Sequence, residues 1–234
     1  MGENFFLVIF YSFYIFEGNY IEFKSTIESY VETANSDKFF GDSGKYIHLH
    51  ISGGREIGRC IHNYSAAWLS LVDHTRRVHE KLKGHTLADI RDFGNEYEVR
   101  LAEYLKDTFE NVFVKDLRNY VQHREVPVPT LQFKMRRIEN LASESGNPLF
   151  EGGYSFEFNS KDLEGFKWSS RSKEYLNGNK SVPIVKIIDK HFSIMKDFYL
   201  WIQFRDHQLH PYAPRGIKDI TFEEWKDRTV GREL

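Results

Sequence analysis

Residues 108–124 read TFENVFVKDLRNYVQHR and run into Glu125-Val126-Pro127-Val128-Pro129. Phe109, Val112, Phe113, Val114, Leu117, Tyr120 and Val121 recur at helical spacing, so the stretch predicts a helix with one apolar face. Pro127 and Pro129 forbid it from running on, because proline lacks an N–H and forces its predecessor out of the α region. Arg118, Asn119 and His123 fall on the last two turns as Arg-polar-x-x-x-His. At about 100° per residue, Asn119 and His123 share a face, whereas Arg118 lies roughly 140° from His123. A working Arg–His pair therefore needs either a loosened last turn or a second copy of the motif.

Upstream, Ile57, Ile61, Tyr64, Trp68, Leu71, Thr75, Val78 and Leu82 are spaced 4-3-4-3-4-3-4, a packing seam that predicts a long helix ended by Gly84. A linker with Thr86, Asp89, Asp92 and Gly94 leads to a second long helix, expected over about residues 95–123. Two long helices joined this way are expected to lie antiparallel and begin a bundle. Downstream the period changes: Leu131, Phe133 and Met135 alternate with polar residues, as do Tyr154, Phe156 and Phe158, which predicts a β-hairpin at about 130–159. Helix returns in two pieces over residues 160–176, and Asn177-Gly178-Asn179 breaks it. Pro183 suits the first turn of a strongly apolar helix over residues 184–205, and Thr221-Phe222-Glu223-Glu224 has the form of a capping box.

The first quarter reads differently. Residues 5–16, FFLVIFYSFYIF, are 12 positions, all apolar or aromatic but Ser12, too few to span a bilayer and lacking the flanks of a signal peptide. They are expected to form a buried strand or pair of strands, not a membrane element. A short amphipathic helix follows over residues 24–34, then turn chemistry. Ile47, Leu49 and Ile51 next alternate with His48 and His50, the pattern of a strand. Residues 1–54 are thus expected to be an α+β segment, separated at Gly53-Gly54 from a helical bundle over 55–234 that carries the hairpin.

A formal charge of −2 over 234 residues excludes a protein that coats nucleic acid by bulk electrostatics. A local cluster of Arg118, Arg124, Lys134, Arg136 and Arg137 could still hold RNA. Cys60 is the only cysteine, which excludes an intrachain disulfide or a Cys-based zinc site and suits a reducing cytoplasm. His48 and His50 on one strand face are a spacing that some metal sites use, but no third ligand is tied to them. No Gly-rich phosphate loop, Gly-x-Ser-x-Gly, His-Glu-x-x-His or Cys-x-x-Cys occurs.

Arg118-Asn119-x-x-x-His123, late on a long helix and followed by proline, resembles the signature of the HEPN superfamily (higher eukaryote and prokaryote nucleotide-binding domains). Many of its members are metal-independent endoribonucleases. The resemblance implies a mainly α, HEPN-like bundle over about 55–125 and 160–212, without metal or cofactor. It further implies a homodimer with paired motifs facing one cleft, and RNA as substrate. The implied setting is stress, toxin–antitoxin or phage defence, with an antitoxin or defence-system partner. On this pattern His123 moves a proton to or from the ribose 2′-hydroxyl or the leaving 5′-oxygen, Arg118 neutralises charge on the phosphate and Asn119 orients both. Arg124, Arg136 and Arg137 would hold RNA.

A second match, Arg205-Asp206-His207-Gln208-Leu209-His210, continues to Tyr212 as Arg-x4-His-x-Tyr, a form seen in HEPN toxins. Arg205 and His210 are therefore secondary candidates, and the helix pair before Arg118 favours the first motif. Asp73 is a candidate support for Arg118; its alternative is intrahelical pairing with Arg76 or Arg77. The rival function is a catalytically inactive HEPN-like module that binds a ligand or a protein.

Overall fold

A computed structural model describes residues 5–35, 43–106, 108–142, 148–209 and 215–230. The protein is mainly helical. Its helices are α1 (Phe5–Ala34), α2 (Ser43–Lys83), α3 (Ala88–Leu101), α4 (Phe109–His123), α5 (Ser170–Gly178), α6 (Ile184–Leu209), α7 (Arg215–Lys218) and α8 (Phe222–Val230). A π-helical turn, Ala102–Lys106, follows α3, and strands β1 (Thr130–Ala142), β2 (Pro148–Asn159) and β3 (Ser181–Val182) form one small sheet in that order. No helix among the described residues is long and apolar enough to cross a membrane.

Two compact units share these elements: Met1–Glu17, Ala66–Val112 and Asp189–Leu234 make the first, Gly18–Ser65 and Phe113–Ile188 the second. In the first, α1 and α6 meet through aromatic rings, with Phe13 stacked on Tyr199 at 3.6 Å and Phe16 against Phe192 at 5.6 Å. Phe93 of α3 lies between Phe6 (5.7 Å) and Trp201 (5.4 Å). In the second, Phe23, Ile57, Ile61, Phe113, Leu117, Phe156, Leu163 and Ile188 are buried and form its core.

The expected N-terminal α+β segment is corrected: the described part of residues 1–54 is helical. Residues 5–16 belong to α1, because Phe6, Ile9, Phe13, Phe16, Tyr20, Phe23 and Ile27 recur at alternating steps of three and four, and all but the half-buried Tyr20 are buried. Leu7, Val8, Tyr11, Tyr14 and Ile15 fill the exposed side of the same helix and hide the period. Residues 46–51 open α2, where Leu49 is buried while Ile47 and Ile51 are exposed, so their alternation does not mark a strand face.

Gly53 and Gly54 likewise lie inside α2 and mark no boundary. They allow a close approach instead. A Cβ on Gly54 would stand 2.7 Å from the Pro129 carbonyl oxygen and from Val128 Cγ1, and one on Gly53 would stand 3.0 Å from the rings of Tyr30 and Phe156. The proline-containing exit from α4 thus lies directly on the backbone of α2.

The expected single helix over about 95–123 is also corrected, since α3, the π turn and α4 are separate. At the break, Asn111 Nδ2 donates to the Leu105 carbonyl at 3.0 Å and Thr108 Oγ1 donates to it at 3.4 Å, satisfying a group that a continuous helix would have paired. The hairpin stands where the alternation predicts it, with Thr130 opposite Glu157 and Phe133 opposite Tyr154; β3 then pairs Phe158 with Val182. The capping box is formed as well: Thr221 N donates to Glu224 Oε2 at 2.8 Å, and Glu224 N to Thr221 Oγ1 at 3.3 Å.

Candidate functional site

The buried face of α4 is built by Phe113, Val114, Leu117, Tyr120 and Val121, and its outward face is polar, with Lys115, Gln122 and His123 exposed. Arg118 and Asn119 are half-buried beside that face, and Arg118 Nη1 donates to Asn119 Oδ1 at 3.1 Å. Arg118 Nε is buried and has no hydrogen-bond partner among the described residues. His123 closes the helix and is exposed. No hydrogen bond joins Arg118 to His123 among the described residues. The helix remains regular to its end, so a loosened last turn does not bring them together.

The last turn is held from its buried side. Tyr120 Oη is 2.9 Å from Glu125 Oε1 and 3.2 Å from the Asp162 carbonyl oxygen. Burial, then the hydrogen bond to Glu125, pushes the Tyr120 phenol up to about 12, so it stays a donor. Ser169, which caps α5, donates its hydroxyl to Asp116 Oδ2 at 2.5 Å, and Trp168 stacks on Tyr120 at 5.5 Å.

Several expected site residues have other roles. Arg124, expected to hold RNA, donates Nη1 to the Glu164 carbonyl at 2.8 Å, has Nε 3.8 Å from Glu125 Oε1 and lies over the Tyr120 ring. It braces the loop after β2. Lys134 pairs with the buried carboxylate of Glu157 at 2.6 Å. The side chains of Arg136 and Arg137 lie outside the described residues. Asp73 pairs with Arg76 at 3.1 Å, the intrahelical arrangement.

Arg205 holds Glu96 at 2.9 Å and Gln208 at 2.5 Å, which fits a structural ion pair; His210 lies outside the described residues. His48 and His50, two apart on a helix, do not share a face as they would on a strand. His48 is exposed, while His50 Nδ1 accepts the Leu131 amide at 3.2 Å. Among the described residues, no three of His, Cys, Asp and Glu converge in a way that could hold a metal.

Sequence reading missed a groove of about 1160 Å³ in the second unit, whose lining includes Lys161, Lys173, Lys180, Phe166, Gln132 and Asn177. The available signal was lysine interleaved with aromatics over residues 161–180. These residues come from β1, the loop after β2, α5 and the turn before β3, so folding alone unites them. No family model, curated protein or solved structure matches the chain.

Proposed function

We propose that the chain is a HEPN-like RNA-binding protein that cleaves RNA without metal, with Arg118, Asn119 and His123 from two copies meeting at one phosphate. The observation that carries this reading is the placement of the pair. His123 is exposed at the end of α4, and Arg118 stands half-buried on the other flank of the same polar face. A single helix keeps the two apart, at roughly 140°, and a second α4 laid across that face supplies each with its complement.

In the proposed reaction a neutral His123 takes the proton of the 2′-hydroxyl as that oxygen attacks phosphorus. The imidazolium so formed gives that proton to the departing 5′-oxygen, leaving a 2′,3′-cyclic phosphate and a 5′-hydroxyl. Arg118, already oriented by Asn119, neutralises the charge that builds on the non-bridging oxygens. In this reading an antitoxin or defence-system partner would act by covering the outer face of α4.

The test is incubation of wild type and His123→Ala with varied RNAs in EDTA. The reading expects cleavage by wild type alone, with cyclic-phosphate ends. Equal cleavage by both proteins, or none by either, counts against it. The second reading, a catalytically inactive binding module, is favoured by one observation: neither Arg118 nor His123 lines the groove of the second unit.

A further inference from the structure

We infer that the groove lined by Lys161, Lys173, Lys180 and Phe166 binds single-stranded RNA, with its phosphates on the lysines and an unpaired base on the phenyl ring. The choice of RNA over other single strands rests on the function proposed above; the groove itself is independent of the motif.

Three observations carry the inference. The lysines are exposed, and none of their ammonium groups makes a hydrogen bond or ion pair among the described residues. Among the described residues they share the groove with one carboxylate, Glu164, so on a chain of net charge −2 this concavity is locally cationic. Unpaired ammonium groups lining one groove are what a phosphodiester backbone needs, since each phosphate contact releases condensed counterions.

The second observation is the ring. Phe166 is half-buried, held edge-on by Tyr120 at 5.2 Å and by Trp168 at 5.4 Å. Trp168 is buried and its Nε1 donates to the Leu163 carbonyl at 2.8 Å, so the brace behind Phe166 is itself fixed. A rigid aromatic side chain among cations is a stacking platform, and stacking requires a base that is not paired in a duplex. The amides of Gln132 and Asn177, which also line the groove, can hydrogen-bond base edges.

The third observation is preorganisation. The loop that carries Phe166 turns at Gly165, whose φ of +77° favours glycine and where a Cβ would stand 3.2 Å from Arg124 Nη1. That loop is hydrogen-bonded through Asp162 and Glu164 to Tyr120 and Arg124, at the end of α4 that also carries His123. The groove therefore exists before any ligand arrives, and ordering it on binding costs little.

The test is fluorescence anisotropy with a labelled single-stranded RNA of about 12 nucleotides, a length within the range of known single-strand sites. It is run in EDTA with His123→Ala protein so that cleavage does not enter. Charge reversal at Lys161, Lys173 and Lys180 together should weaken binding at least tenfold and reduce the salt slope by about 2. Phe166→Leu should weaken it about fivefold or more. The triple Lys→Arg protein should bind as the parent does.

Duplex RNA and poly-glutamate should compete poorly. Unchanged affinity in a charge-reversed protein that melts like the parent, or no binding by the parent, overturns the inference. Equal competition by poly-glutamate also overturns it and makes the groove a site for acidic polypeptide. Binding that depends on the lysines without any cleavage by wild type keeps the groove and removes the nuclease; cleavage indifferent to the lysines does the reverse.

Discussion

Arg118 and His123 present to opposite flanks of α4: Arg118 is half-buried with Nη1 3.1 Å from Asn119 Oδ1, and His123 is exposed where the helix ends. On the proposed reading, each chain offers two separated halves of a site. Arg118→Ala or His123→Ala should lower RNA cleavage in EDTA by about a hundredfold or more, the usual cost of removing a charge stabiliser or a proton-transfer group. Arg205→Ala should leave the rate unchanged and cost about 1 kcal/mol of stability, because its partner Glu96 is nearly half-exposed. Initial rates and urea unfolding of the three variants check this. A cleavage defect in Arg205→Ala alone would assign the site to the second motif.

Two glycines on neighbouring helices should respond to alanine in opposite directions. At Gly54 the new methyl would meet the Pro129 carbonyl oxygen and Val128 at 2.7 Å, so Gly54→Ala should destabilise by about 1–3 kcal/mol through overpacking. At Gly18 a Cβ meets nothing within 4 Å, and the residue lies within α1. Gly18→Ala should therefore stabilise by about 0.5–1 kcal/mol, the difference in helix propensity. Urea unfolding of both variants reads the sign directly.

His191 sets a pH dependence in the first unit. It is fully buried beside Phe16 at 6.3 Å and Trp68 at 5.7 Å, and burial pushes its pKa from 6.5 down to about 3. The unfolded chain takes up this proton first. The neutral ring therefore favours folding fully above about pH 6.5, and that contribution is lost as pH falls from there towards 3. The limiting slope is about 1.4 kcal/mol per pH unit.

Glu157 acts in a lower window. Its burial raises the carboxyl pKa, but hydrogen bonds from Lys134 and Ser181 prevail and hold it below 4.5, so its contribution is lost only as pH falls further. Urea unfolding of wild type and His191→Leu between pH 7 and 5 should show a steeper loss in wild type. Parallel curves would contradict the assignment.

The hairpin was legible because Leu131, Phe133 and Met135 on one strand and Tyr154, Phe156 and Phe158 on the other keep period two in a sequence with few competing signals. The capping box at Thr221 and Glu224 was legible for a similar reason, since both partners are local. α1 was not: with apolar residues on its exposed side as well, the seam from Phe6 to Ile27 has no polar contrast to reveal it. Residues 46–51 misled in the opposite way, because Ile47, Leu49 and Ile51 alternate although only Leu49 is buried. The break before α4 depends on Thr108 and Asn111 reaching one carbonyl, which no periodicity records. At the site, Arg124 looked free because its acceptor, the Glu164 carbonyl, lies 40 residues away.

Mixing two inactive variants tests the central claim most directly. If each site takes Arg118 from one copy and His123 from another, an equal mixture of Arg118→Ala and His123→Ala, unfolded and refolded together, contains mixed dimers with one intact site each. By random assortment the mixture should recover about a quarter of wild-type cleavage in EDTA, while either variant alone stays near zero. No recovery, with mixed dimers demonstrated by mass spectrometry, would contradict a site shared between copies.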